Sequence, residues 1–193
     1  YDLRHLPLTH TDGSGRKTTY TYNTRGQVLT VTNPKNELTT FIYNPAGYLT
    51  TVDGPLAGTV DRVDMTYDGF GRLRTTTDAK GHVVTHDYDA LNRPTQTTYP
   101  DTTYEEIIWD RLDPVLTRDR LGRWTQRNYD SLRRVVSETD PQGRTTTFAW
   151  CDCGSLDSYT DAEGRPTSFE RDLQGRLTRR TYPDGKTIDY AYK

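Results

Sequence analysis

Long hydrophobic runs are missing from this 193-residue sequence. No stretch of about 18 apolar residues occurs, so no membrane-spanning segment is expected. Charge of one sign is missing too: 25 Lys and Arg stand against 27 Asp and Glu, interspersed, for a net charge of −2. Without a basic stripe, nucleic acid is not an expected partner. Cysteine is scarce, with only Cys151 and Cys153, spaced C-x-C in a turn. Zinc wants four ligands and no second cysteine or histidine cluster supplies them. No metal and no cofactor are therefore expected, and the cysteine pair reads as structural and inert, with a redox pair or a disulfide left open. The pair does not define the compartment.

Apolar residues are also few, at 32% of the chain with a mean hydropathy of −0.91. Globular domains typically hold about 45–50%. Disorder would follow if aromatic and β-branched residues were equally scarce. Fourteen Tyr, three Trp and many Thr argue for a folded sheet with much wetted surface and a thin core. No signal peptide is expected in this stretch, since Tyr1 falls in phase with the repeat described next and the chain is expected to be a piece of a longer one.

What the sequence has in abundance is repetition. Equivalent places are held by Tyr1-Asp2, Tyr22-Asn23, Tyr43-Asn44, Tyr67-Asp68, Tyr88-Asp89, Trp109-Asp110, Tyr129-Asp130, Trp150-Cys151 and Arg171-Asp172, and Tyr192 opens a tenth copy. The steps are 21 residues, except for one of 24 and one of 20. A fixed period of this size means one supersecondary unit copied along the chain and leaning on its neighbours. The whole of 1–193 therefore reads as one array of nine repeats, whose function resides in the array.

Each copy carries two turn signals, Asp68 to Gly71 and Asp78 to Gly81 in the clearest one. Asp can bond the backbone ahead of it and Gly supplies the positive φ that closes the turn. The first-turn column reads His5, Gly26, Gly47, Gly71, Asn92, Asp113, Arg133, Gly154 and Gly175. The second turn runs Asp12 to Gly15, Asn33 to Asn36, Asp78 to Gly81, Asp140 to Gly143 and Asp161 to Gly164, with Asp184-Gly185 as a shortened form. Between the turns, Arg72–Thr77 and His82–Tyr88 have the length and Thr/Val/Tyr content of strands. No sustained 3.6-residue apolar period occurs. The chain is expected to be all-β, a continuous antiparallel meander.

Two residues after the first-turn column lies an apolar one: Pro7, Val28, Leu49, Leu73, Pro94, Val115, Val135, Leu156 and Leu177. The ring column, Tyr22, Tyr43, Tyr67, Tyr88, Trp109, Tyr129 and Trp150, has companions two residues earlier, including Tyr20, Phe41, Met65, His86, Ile107 and Phe148. Residues two apart share a strand face, so one packed face and one solvated face are expected. Leu73 is assigned to the packed face and Thr76, of opposite parity, to the solvated one. About 18 strands spaced about 4.8 Å apart would make a strip on the order of 85 Å long and about 20 Å wide. Twist would force such a strip to curl, spiral or close. Its terminal strands, near Tyr1 and Tyr190, are expected to be unpaired edges prone to self-association.

The consensus Tyr-Asp-x-x-Gly-Arg-Leu, then Thr-Asp-x-x-Gly, then Thr and Tyr, resembles the YD repeat of the Rhs family. Tyr67 to Leu73 and Asp172 to Leu177 are close matches, Tyr88 to Pro94 is a common variant, and Trp150 to Gly154 is similar to a variant in some bacterial members. The resemblance covers essentially the whole chain. It implies a wall segment: in bacterial Rhs proteins and Tc-toxin C-type subunits such repeats form a long curled or spiralling sheet, part of a hollow shell that holds a C-terminal toxin domain until delivery. In animal teneurins a related barrel serves cell–cell adhesion. The implied partners are flanking YD repeats of a parent chain and an encapsulated C-terminal toxin domain. The implied location is secreted or at the cell surface, through a bacterial secretion system. The family's autoproteolytic signature, Asp-Pro-x-Gly-Leu, is missing. Asp140 to Gly143 has its first four residues, but Arg144 replaces the Leu and the stretch reads as a turn.

Rival readings rest on individual residues. His82 and His86 would lie about 13 Å apart on a strand, too far to share a metal. Carboxylates are abundant, but most fall at turn positions and no pair is distinguished for acid–base chemistry, so no catalytic residue and no enzyme activity are expected. Exposed rings such as Trp124 would suit carbohydrate in a cell-surface adhesion or glycan-binding module, the alternative reading. The irregular copies stand apart: the third gains a loop at Asp53 to Gly58, the sixth loses a residue and puts Arg127 in the companion column, and the last puts Arg171 in the ring column. A charge on a packed face needs a partner or water.

Overall fold

The computed structural model describes residues 1–192, and among them every regular element is a β-strand. The chain divides into two compact units, Tyr1–Thr103 and Tyr104–Lys193. The first holds β1 (Thr9–Thr11), β2 (Lys17–Tyr22), β3 (Val28–Thr32), β4 (Leu38–Tyr43), β5 (Leu49–Asp53), β6 (Val63–Tyr67), β7 (Leu73–Thr77), β8 (Val83–Tyr88) and β9 (Pro94–Thr98). The second holds β10 (Tyr104–Asp110), β11 (Asp113–Arg118), β12 (Trp124–Tyr129), β13 (Val135–Thr139), β14 (Thr145–Trp150), β15 (Leu156–Thr160), β16 (Pro166–Arg171), β17 (Leu177–Thr181) and β18 (Thr187–Asp189). Within each unit consecutive strands pair antiparallel, so each is a meander. The all-β antiparallel expectation is met.

The two turns of a repeat have the same backbone. At the first, Gly71 N–H donates to the Asp68 carbonyl at 3.0 Å and Asp68 N–H to the Arg72 carbonyl at 2.9 Å; at the second, Gly81 and Asp78 repeat the pattern at 2.9 and 3.0 Å. This is a tight turn closed by one left-handed residue, the three-residue hairpin connection. Gly71 takes φ +81° there. His5, Asn92 and Arg133 adopt the same conformation without being glycine, at φ 62°, 62° and 63°.

Two turn expectations need correction. In the sixth copy the left-handed residue is Arg111, φ 52°, and not Asp113, which already belongs to β11. Losing one residue leaves only Arg111 and Leu112 between the paired Asp110 and Asp113, so the copy closes by a two-residue turn. The Asp184-Gly185 turn is not shortened: Gly185 N–H donates to Tyr182 O at 2.9 Å, so Tyr182 fills the place of the turn Asp.

The strand pair across each first turn carries a bulge beside the ring. At the start of the fourth copy Thr66 pairs with Thr75, and then Tyr67 pairs with Leu73, so two residues oppose one. The same irregularity precedes Tyr22, Tyr43, Tyr88, Trp109, Tyr129, Trp150 and Arg171. An extra residue inverts the alternation beyond it. Consequently Thr76 faces Met65 directly and lies on the ring-companion side, which corrects its assignment to the solvated face. Val31 and Val52 occupy the same place opposite Tyr20 and Phe41. The other side carries the hydroxyl ladder, with Thr21 and Thr66 Oγ1 each 2.6 Å from Thr30 and Thr75 Oγ1.

The packed face is thinner than expected. No hydrophobic side chain is fully buried among the described residues; Thr51 and Thr167, at 5% and 2% exposure, are the most enclosed. The Leu and Val column from Val28 to Leu177 is half-buried, while Pro7 and Pro94 are exposed. A sheet face takes its burial only from its own side chains unless another layer covers it. The inserted loop of the third copy is tied down instead by polar contacts. Asp61 Oδ2 accepts from Leu56 N–H at 3.0 Å, and Asp64 Oδ1 accepts from Thr51 Oγ1 at 2.7 Å and Arg62 Nη2 at 2.8 Å.

Candidate functional site

The chemistry of this chain is concentrated where one copy meets the next. A turn carboxylate organises several of these junctions: Asp68 Oδ1 accepts from Phe70 N–H at 2.9 Å and Arg72 N–H at 3.0 Å, while Oδ2 takes Arg72 Nε at 2.6 Å. Asp89 with Arg93, Asp130 with Arg134 and Asp172 with Arg176 do the same in first turns; Asp12, Asp119, Asp140 and Asp161 do so with Arg16, Arg123, Arg144 and Arg165 in second turns. The backbone N–H of Arg123 and then its guanidinium hold the Asp119 carboxyl below the ordinary carboxylate range. The Arg134 backbone does so for Asp130, against the opposing effect of burial.

The first-turn arginine also crosses to the following copy. Arg72 Nη1 donates to the Asp89 carbonyl at 2.8 Å and Arg134 Nη1 to the Cys151 carbonyl at 3.1 Å. Each guanidinium covers the next ring: Arg72 lies 4.8 Å from the centre of Tyr88, Arg134 5.5 Å from Trp150, and Arg176 4.7 Å from Tyr192. Copies lacking this arginine use substitutes. Gln27 Nε2 donates to the Gly47 carbonyl at 2.7 Å, and Tyr48 stacks on Tyr67 with ring centres 4.9 Å apart. Arg133, left-handed in the glycine column, anchors backward on Asp113 Oδ1 and the Leu112 carbonyl, both at 2.8 Å.

The ring column completes the junction. Tyr22, Tyr43, Tyr67, Tyr88, Tyr129 and Trp150 pair with Val28, Leu49, Leu73, Pro94, Val135 and Leu156. Trp109 pairs with Pro114 and not with Val115, again because of the short sixth turn. The polar tip of the ring reaches the preceding copy: Tyr67 hydroxyl donates to the Leu49 carbonyl, Trp150 Nε1 to the Val135 carbonyl, and Tyr192 hydroxyl to the Leu177 carbonyl, all at 2.8 Å. An aromatic residue with a polar handle thus packs sideways and bonds backward to the preceding copy. The arginine and ring-tip links were invisible in the repeat columns because they join residues 15 to 18 apart. The Gly-Arg pair in the consensus was their one sequence signal.

The remaining candidates are dispersed. His82 Nδ1 lies 3.0 Å from Asp78 Oδ2 and His86 Nδ1 3.4 Å from Thr97 Oγ1, so each imidazole has its own partner. Cys151 and Cys153 form a disulfide within the first turn of the eighth copy, where Cys151 Sγ accepts from Ser155 N–H at 3.3 Å in the manner of a turn Asp. Trp124 opens β12, about a third exposed, opposite Arg118. Arg127 is paired, its Nε 2.7 Å from Glu138 Oε2 across the strand pair. Arg171 is exposed at the end of β16, opposite Leu177.

Comparison with known proteins agrees with this architecture. The model of the RHS Repeat family matches residues 1–38, 22–59, 67–104 and 158–187. Double-stranded DNA deaminase toxin A of Burkholderia cenocepacia is 25% identical over 98% of this chain and 12% of its own length. The probable deoxyribonuclease RhsB of Dickeya dadantii is 33% identical over 92% of this chain and 14% of its own. This chain thus spans about an eighth of these relatives. A crystal structure of TcdB2-TccC3-TEV superposes with a TM-score of 0.72 at 18% identity, covering 98% of this chain and 12% of that one. The Tc holotoxin pore of Photorhabdus luminescens gives 0.62 at 15% identity, over 86% and 12%. These likenesses show a shared fold.

Proposed function

Because this chain belongs to the RHS repeat family, we propose that it is a non-enzymatic wall segment of a shell that encloses a C-terminal toxin domain of a longer parent polypeptide until delivery. One observation carries the reading: the polar side chains that recur along the array are engaged in closing turns and in joining neighbouring copies. Turn aspartates bind their own arginines, first-turn arginines bind the next copy, and ring tips bind the previous one. Such a surface builds a wall and leaves turnover to another part of the parent. Two relatives are named as a deaminase toxin and a probable deoxyribonuclease, and this chain matches only a small share of each, which fits repeats that accompany an effector. Export from a bacterial cell belongs to the same proposal.

Limited proteolysis of the parent tests it. The C-terminal domain is expected to survive protease while attached to intact repeats, and to be cut at least about tenfold faster once released or once the repeats are opened by acid. Equal cleavage of the attached and released domain would refute encapsulation. Turnover by the 193-residue chain alone would refute the non-enzymatic assignment.

A further inference from the structure

One cation on the ring side of the second unit lacks the counter-charge that another arginine on that side possesses. Arg180 of β17 faces Phe169 of β16 on one flank and Ile188 of β18 on the other. Its guanidinium carbon lies 5.6 Å from the centre of Phe169 and 4.5 Å from that of Tyr182. Its Nε is buried without a hydrogen-bond partner. Arg127 also lies on the ring side, at the companion position, and there Glu138, in the place that Arg180 takes opposite Phe169, stands directly across and binds Arg127 Nε. A buried donor left unmade is costly, and more so when charged.

Arg180 lies in the wall of an open pocket of about 890 Å³ whose lining includes Tyr159, Thr167, Tyr182 and Ile188. Its charged lining is three cations, Arg165, Arg180 and Lys186, and two carboxylates, Asp161 and Asp184. Arg165 is paired with Asp161 and Glu163, and Lys186 with Asp184. Among the described residues Arg180 is the lining cation with no carboxylate partner, which suits a monoanion better than a phosphate dianion. Acceptors for a polyhydroxylated ligand are few, since Asp161 already receives Glu163 N–H, Arg165 N–H and Arg165 Nε. The rest of the wall is Tyr159, Tyr182, Pro183 and Ile188, with Thr167 and Thr187. The Thr167 hydroxyl, and after it Arg180, hydrogen-bond the Tyr159 phenol and hold it below its ordinary pKa.

We propose that this pocket binds an acidic side chain of a polypeptide, flanked by an apolar or aromatic residue, with the carboxylate on Arg180 and the flanking group against Tyr159, Tyr182 and Ile188. The inference is independent of encapsulation, because it requires only this chain and an acidic peptide. The test follows the Arg180 Nε–H resonance of the 193-residue chain by NMR during titration with acetyl-Phe-Glu-Phe-amide, its Gln counterpart and sodium glucuronate. The Glu peptide is expected to shift the resonance saturably, the Gln peptide to bind about tenfold more weakly, and glucuronate to bind more weakly than the Glu peptide. Arg180→Gln should abolish binding. Ile188→Glu places a carboxylate in the chain itself, as Glu138 does for Arg127, and should abolish binding while the melting temperature is kept or raised. That second variant decides the matter if Arg180→Gln does not fold. Equal binding of the Gln peptide, unchanged binding by Ile188→Glu, or absence of a saturable shift would overturn the proposal. Glucuronate binding as tightly as the Glu peptide would replace it with a carboxylated-sugar site.

Discussion

The guanidinium of Arg72 covers the ring of Tyr88, 4.8 Å from its centre, in the following copy. The same side chain binds Asp68 in its own turn and the carbonyl of Asp89 in the next. A planar fork makes these contacts together and an ammonium does not. Arg72→Lys is therefore expected to destabilise the chain by about 1–2 kcal/mol in denaturant melts. Arg144→Lys alters a second-turn arginine whose guanidinium binds Asp140 in its own turn and should cost under about 0.5 kcal/mol. Equal losses would show that the crossing contact carries no stability.

The pairing of Thr76 with Met65, and of Thr76 with Val84 on its other flank, places a hydroxyl on the ring side. Two other copies hold Val31 and Val52 there. Thr76→Val should stabilise by up to about 1 kcal/mol. Thr75→Val breaks the bond to Thr66 on the opposite side and should be neutral or cost about 0.5 kcal/mol. Urea midpoints of the two variants decide which side of the strand is which. Leu73→Ala, at a half-buried site, should fall near about 2 kcal/mol, the low end of large-to-small changes.

Gly71 and Gly143 have nearly the same backbone, φ +81° and +78°, but different surroundings. A methyl group on Gly143 would meet nothing within 4 Å, whereas one on Gly71 would collide with the phenol of Tyr48 from the previous copy. Gly143→Ala should then cost about 1–2 kcal/mol, for conformation alone. Gly71→Ala should cost at least about 1 kcal/mol more, since Tyr48 must leave its stack on Tyr67. Thermal melts that rank the two equally would refute the contact.

Acid should unfold this chain. The carboxyls of Asp12, Asp119, Asp130, Asp140 and Asp161, among others, are lowered in the folded state by turn N–H groups and arginines. A depressed folded pKa gives stability that is complete above the unfolded value, about 3.9, and is lost as pH falls through the folded one. Stability should be flat from pH 7 to about 5 and then drop steeply towards pH 2. Asn23 already serves a turn by accepting from Arg25 and Gln27 N–H. Asp119→Asn is accordingly expected to keep the turn and flatten the acid limb. Acid-independent melts down to pH 2 would contradict the turn-carboxylate account.

The period, both turns, the strand positions and the ring and aliphatic columns could all be read from residues alone. Each depends on chemistry within a few positions: an Asp that binds N–H groups two and four residues ahead, a left-handed residue after it, and alternation along a short strand. What depended on contacts between strands could not be read this way. The bulge before each ring inverts the alternation, and that moved Thr76 across the sheet. One missing residue in the sixth copy shifted the turn to Arg111 and the ring partner to Pro114. Whether an arginine on the ring side meets a glutamate, as Arg127 does, or a phenylalanine, as Arg180 does, is decided by the register between strands about ten residues apart in the chain. Local propensity carries no information about that register, because only the assembled sheet chooses which side chains face one another.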